Sequence, residues 1–84
     1  MKNLLNQLKI SIIGLGYVGL PIALEFGKRL NVVAYDINKK RINELKKGFD
    51  QTKEIKQQEI SAAKKIFFSN KISDLKKSDF FIIC

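Results

Sequence analysis

Apolar residues fall along the chain in short clusters, and the spacing within each cluster predicts an element. Lys9 to Ile13 is β-branched and apolar at Ile10, Ile12 and Ile13, hence on both faces, which suits a central parallel strand covered on both sides. Gly14-Leu15-Gly16-Tyr17-Val18-Gly19 follows, and then a helix to about Arg29. Gly19, Ala23 and Gly27 give that helix a stripe of small residues at four-residue spacing, letting its axis approach the strands; packing must compensate for the low propensity of Gly27. Pro21 is tolerable because it lies near the first turn.

Val32 to Tyr35 reads as the second strand, ending on Asp36. Asn38 is a good N-cap for a second helix running to Lys47. Ile37 and Ile42 have the spacing of a hydrophobic staple, and Gly48 is placed to end the helix. A polar connection from Phe49 to about Lys56 leads to a third helix, Gln57 to Lys65, whose only clear inward pair is Ile60 and Ala63. Ile66 to Ser69 is a short strand, Ile72 to Lys77 a helical turn, and Phe80 to Cys84 a last apolar strand; residues 1–8 form a lead-in arm or short helix. Strands separated by helical segments predict an α/β fold with a parallel sheet. Right-handed crossovers give the order 3-2-1-4. The expected fold is Rossmann-like, with helices on both faces. It comprises the first half only, over residues 9–84, truncated after the fourth strand.

Composition narrows the picture. Eighty-four residues make one small domain, and 45% apolar with 29% charged residues exclude wholesale disorder and low complexity. The net charge is +8, divided as +5 over residues 1–50 and +3 over 51–84, with no basic run longer than Lys39-Lys40-Arg41. Nucleic-acid binders gather Lys and Arg on one face with interleaved aromatics. Here the excess is diffuse and only two of the sixteen basic residues are Arg, so the expected surface is solvated lysine that favours small anions such as nucleotides, with no nucleic-acid partner. Ile10 to Leu24 is uncharged but only fifteen residues long and holds three glycines and a proline, short of the ~20 residues that span a bilayer, so no membrane partner is expected. Cys84 is the only cysteine; no internal disulfide is available, and a reducing cytoplasm fits.

The glycine-rich turn carries the candidate chemistry. A lone GxGxxG is weak, but here it follows an apolar strand, opens a helix and precedes a second strand that ends on an acid, Asp36, 22 positions after Gly14. In that setting Gly14 permits a tight turn, Gly16 lets backbone approach a pyrophosphate, and Gly19 lets the helix lie on the strand. The helix N-terminus offers amides and a positive dipole end to phosphates. Asp36 accepts the adenosine ribose hydroxyls and repels a 2′-phosphate, favouring NAD over NADP, although Lys39, Lys40 and Arg41 are basic enough to accommodate one. Arg41 either lies over the adenine or its ribose, or is a solvated helix residue. Tyr17 and Val18 are either core residues or backbone contacts to the pyrophosphate. The plain alternative is a structural glycine turn, with Asp36 a strand-end turn former. There is no histidine, Asp50, Asp74 and Asp79 sit in polar connections without a partner at catalytic spacing, and no cluster resembles a metal site. Cys84, closing an apolar strand, reads as a small buried hydrophobe rather than a nucleophile.

Lys9 to Pro21, then Ala23-Leu24-Glu25-Phe26-Gly27, resembles the opening of the nucleotide-sugar 6-dehydrogenases, the UDP-glucose/GDP-mannose dehydrogenase family. The similarity continues through Tyr35-Asp36-Ile37-Asn38, Lys40-Arg41-Ile42, Glu44 to Gly48 and Ser78 to Ile83. The short Gly48-Phe49-Asp50-Gln51-Thr52 stretch is similar to the UDP-N-acetylhexosamine 6-dehydrogenases of polysaccharide synthesis, including the Vi-antigen type. The resemblance implies NAD as cofactor, with contacts at Gly14, Leu15, Gly16, Tyr17, Val18, Gly19, Asp36 and Arg41. It implies a parent activity that oxidises the sugar C6 alcohol to a carboxylate with two NAD⁺, through a thiohemiacetal and thioester on a downstream cysteine that Cys84 does not match. The chain itself is then catalytically incomplete, with no catalytic residue. UDP-sugar is a partner only of the full-length parent, and a homo-oligomer through the uncovered last strand is a further expectation. The other readings are a free-standing NAD-binding regulatory module and a non-functional truncated remnant.

Overall fold

The four apolar runs become four parallel strands: β1 (Lys9–Ile13), β2 (Asn31–Tyr35), β3 (Ile66–Ser69) and β4 (Phe80–Ile83). Their order is β3-β2-β1-β4, as expected from right-handed crossovers. The computed structural model describes residues 8–50 and 55–84; the rest of the expected lead-in arm and the middle of the polar connection lie outside the described residues.

Register explains where the core sits. Ile10 lies opposite Val32 and Phe80, Ile12 opposite Ala34 and Ile82, and Ala34 opposite Phe68, so a two-residue period collects them on one face. On that face they meet Leu20, Ala23 and Leu24 of α1 (Gly19–Gly27), Ile42 and Leu45 of α2 (Lys39–Lys46) and Ile60 of α3 (Gln57–Ala62). Ile12 is fully buried, and sequestering a side chain of that size contributes about 1.5–3 kcal/mol. The opposite face holds Ser11, Val33, Tyr35 and Ser69, all buried. Its cover is the segment of residues 70–79 with a 3₁₀ turn at Ile72–Leu75. The Ser78 hydroxyl bonds to that of Ser11, and the Ser69 hydroxyl donates to Asp74. The expected cover on two faces is therefore uneven, with all three α-helices in the core on one side, and Phe67, Phe81 and Ile83 exposed on the other.

Element ends follow from local bonds. Asn38 caps α2 by accepting the Arg41 amide at 3.1 Å, and Gly48 leaves the helix at φ +79°. The expected staple does not form: Ile42 is buried but Ile37 is 84% exposed. α1 stops at Gly27 instead of Arg29, where the Arg29 amide turns to the Phe26 carbonyl three positions back rather than continuing the four-residue ladder. α3 stops at Ala62 instead of Lys65. Ala63 leaves helical geometry at ψ 74°, and the Lys65 amide donates to the Gly27 carbonyl at 3.0 Å, delivering the chain into β3. Gly27 meets this junction directly, since a Cβ there would lie 3.1 Å from Ile66 Cβ and 3.2 Å from Ala63 Cβ.

Candidate functional site

Chain direction changes sides at β1, with β2 on one flank and β4 on the other, so the carboxyl ends of β1 and β4 frame a switch point. A cleft of about 310 Å³ opens there, lined by the six residues Gly14 to Gly19 with Asp36 and Cys84.

The turn that forms its floor is sterically determined. Gly14 has φ +98°, and a Cβ on it would sit 2.7 Å from the Cys84 carbonyl oxygen. A Cβ on Gly19 would lie 1.7 Å from the Gly14 carbonyl oxygen, so only glycine lets α1 start against the turn. Gly16 differs from both: a Cβ there would meet nothing within 4 Å, so no protein atom occupies the space its missing side chain leaves. At the start of α1, Val18 provides no side-chain cap and the first turn has no acidic residue. The Leu20 amide already donates to the Gly16 carbonyl at 3.2 Å and Pro21 has no N–H, so the Gly19 amide and the positive end of the helix dipole are left for an anion.

Asp36, one residue past β2, forms the opposite wall. Its Oδ2 accepts the Leu15 amide at 2.9 Å and its Oδ1 the Asn38 amide at 2.9 Å. It therefore does serve the turn, as the plain reading held. A carboxylate offers about four acceptor positions, so two remain for a ligand hydroxyl.

The remaining expected residues divide. Leu15 turns its side chain into the core and contributes only its peptide groups to the cleft. Tyr17 and Val18 are 69% and 63% exposed, which removes the core reading for both. Arg41 does not line the cleft, and it is not a solvated helix residue either. Its guanidinium is buried beneath the turn, where Nε and Nη2 donate to the Leu15 carbonyl at 3.0 and 2.8 Å and Nη1 to Asp50 Oδ1 at 2.6 Å. Asp50, expected to have no partner at a catalytic spacing, is 3% exposed and also accepts the Ile55 amide at 2.9 Å. Sequence reasoning missed this residue because nothing in a polar connection marks one carboxylate as the partner of a helix residue nine positions back. Asp74 and Asp79 are likewise engaged; Asp79 accepts the Lys9 amide at 2.9 Å and so fixes β4 beside β1. Cys84 is exposed at the cleft rim, contrary to the buried-hydrophobe reading, because its strand ends level with the turn.

Comparison with known proteins agrees with this geometry. Residues 8–84 match the profile of the UDP-glucose/GDP-mannose dehydrogenase family, NAD binding domain. The chain is 49% identical over 79 residues to UDP-N-acetyl-D-glucosamine 6-dehydrogenase of Salmonella typhi, covering 94% of this chain and 19% of that protein. The Pseudomonas aeruginosa enzyme of the same name is 46% identical over 79 residues, again 94% of this chain and 19% of the relative. Among solved structures, the UDP-D-ManNAc dehydrogenase of Pyrococcus horikoshii superposes with a TM-score of 0.80 at 35% identity, over 92% of this chain and 20% of that one. The chain thus spans about a fifth of the length of its relatives. With the switch-point cleft, the glycine turn and the acid after β2 in place, the chain belongs to the UDP-glucose/GDP-mannose dehydrogenase family and corresponds to its NAD-binding domain.

Proposed function

We propose that this chain supplies the adenosine and pyrophosphate side of the NAD site in a UDP-N-acetylhexosamine 6-dehydrogenase, which oxidises the sugar C6 alcohol to a carboxylate. The observation that carries the reading is the convergence on one cleft of an uncapped helix N-terminus, the open position at Gly16 and the Asp36 carboxylate. Gly14 to Gly19 hold the pyrophosphate through backbone amides, with Gly16 leaving room for it. Asp36 orients the adenosine ribose with its remaining acceptor positions and excludes a 2′-phosphate by charge. When bound, NAD supplies the acceptor for the hydride that leaves the sugar carbon. The sugar-binding and catalytic groups belong to the stretches of the relatives that this chain does not span, so the chain alone binds the cofactor and does not turn over UDP-sugars. A cytoplasmic site of action follows from a soluble cofactor and a single unpaired thiol; no helix among the described residues is long and apolar enough to cross a membrane. The outer edge of β4, with Phe80, Phe81 and Ile83 exposed, supports pairing with a second copy.

Calorimetric titration with NAD and NADP tests the site. The wild-type chain should prefer NAD, and Asp36→Ala should weaken NAD binding while narrowing the gap to NADP. No binding of millimolar NAD by the wild type overturns the cofactor reading, and an unchanged preference in the variant overturns the ribose role.

A further inference from the structure

We propose that the free edge of β3 is a docking site for an acidic, extended peptide segment of a partner protein, which adds to the sheet as a further strand. The proposal does not rest on the cofactor reading, and it concerns the flank of the sheet opposite β4.

β3 is the outer strand beside β2. The Lys65 carbonyl accepts the Val32 amide and the Ser69 carbonyl the Asp36 amide, so the alternation of a parallel ladder turns residues 65, 67 and 69 toward β2. The Ile66 carbonyl and both peptide groups of Phe68 therefore point outward, and no group of the described residues bonds to them. Beside this row lies a groove of about 370 Å³ between the end of α2 and α3. Leu45, Ile60, Ile66 and Phe68 give it an apolar floor, and Lys46 and Lys47 stand on its rim. Strand addition uses both features: main-chain groups to pair, and a recess for alternate side chains.

The edge is guarded as well as open. Phe67 lies by alternation on the face away from α2 and is 52% exposed. Lys46 of α2 nevertheless holds its ammonium over the Phe67 ring, 5.9 Å from the ring centre, so its side chain crosses the edge. Charge then selects the occupant. Lys46 and Lys47 close α2, Lys64 and Lys65 precede β3, and Lys71 follows it, all exposed. Among the neighbouring acids, Asp74 is bonded to the Ser69 hydroxyl and Glu44 has a buried oxygen, which leaves Glu59 on the surface. A second copy at this edge brings the same lysines against these, and like charge opposes the pairing. A strand with acids at alternate positions meets the lysines instead, draws Lys46 from the Phe67 ring into an ion pair, and leaves its other side chains for the groove.

The probe is fluorescein-labelled acetyl-Glu-Val-Glu-Val-Glu-Val-amide, titrated by anisotropy onto the full chain beside the same peptide with lysine in place of glutamate. The acidic peptide should bind with a dissociation constant below about 1 mM, and the lysine peptide should not bind. Lys46→Gln/Lys47→Gln, at two exposed positions, should lower the affinity about fivefold, as losing exposed ion pairs does. On binding, hydrogen exchange of the Phe68 amide should slow, while that of Ala34, inside the sheet, stays as it was. No binding at that concentration, equal binding of both peptides, or wild-type affinity in the double variant each overturns the proposal. Binding that leaves Phe68 exchange unchanged reports charge attraction without strand pairing and overturns it too. Phe68 exchange that is already slow in the free chain and quickens on dilution assigns the edge to a second copy, which is equally fatal. NAD is absent from every arm, so none of these outcomes bears on the cofactor site.

Discussion

Replacing Gly16 and Gly19 by alanine should separate binding from folding, although both positions belong to one glycine motif. A methyl on Gly19 would sit 1.7 Å from the Gly14 carbonyl oxygen and 2.9 Å from its carbon. Carbon–oxygen contacts settle no closer than about 3.3 Å, so α1 or the turn must shift by roughly 1.6 Å. The obstacle is backbone, which cannot swing aside. The loss should reach the upper end of overpacking costs, about 3 kcal/mol, which for a domain of this size lowers the melting temperature by roughly 12–24 °C. A methyl on Gly16 meets nothing within 4 Å, and the residue lies outside the left-handed region. Stability should hold to within about 0.5 kcal/mol, or rise by ~0.4–1 kcal/mol because the unfolded chain loses freedom. NAD affinity should instead fall, since the methyl occupies the space of the pyrophosphate; a steric cost of about 1–3 kcal/mol is roughly a 5- to 150-fold loss. Urea unfolding followed at 222 nm and calorimetric NAD titration measure the two quantities on the same samples. Equal destabilisation by both variants, or wild-type NAD affinity in Gly16→Ala, refutes the division of roles.

Two further outcomes bear on the cleft and the open edge. Cys84 is exposed and lines the cleft, so a thiol-specific reagent should label it readily, and saturating NAD should slow the labelling; an unchanged rate places the cofactor elsewhere. Ile83→Lys, at a side chain 79% exposed, should leave stability within about 0.5 kcal/mol while lowering the apparent mass of any assembly through β4, measured by light scattering on a sizing column. A wild-type chain that elutes as a monomer at every concentration removes the second copy from that edge.

The sheet was legible in the sequence because its signals are local and repeated. Ile10, Ile12 and Ile13 before a glycine turn, and Val32 to Tyr35 before an acid, mark strands by side-chain type alone, and handedness then leaves one order. The cleft was legible for a related reason, since within six residues Gly14 and Gly19 answer distinct steric demands and Gly16 leaves open space between them. What escaped depends on contacts between segments. Arg41 looks like any basic residue on a helix face until Asp50 and the Leu15 carbonyl are brought beneath it. Ile37 and Ile42 have staple spacing, yet the path taken by Asp36 to reach the Leu15 amide leaves Ile37 in solvent. α3 ends early because a carbonyl from α1 captures the Lys65 amide, a bond no helix propensity contains.

The placement of β1 between β2 and β4 also sets an order in time. As the chain is made, β1 can pair with β2 once Val32 has emerged, whereas its other flank waits for Phe80. Lys9 and Asp79, which fasten that flank, stand 70 positions apart. At synthesis rates of about 5–20 residues per second the interval is roughly 4–14 s. Throughout it this inner strand of the finished sheet carries a bare row of amides and carbonyls on its β4 flank. The cofactor cleft cannot close its rim in that period either, because Cys84 is among the residues that bound it. Cofactor capture is thus deferred to the end of this segment's synthesis, with an exposed strand edge in the interim that a nascent-chain chaperone or a neighbouring copy would meet first.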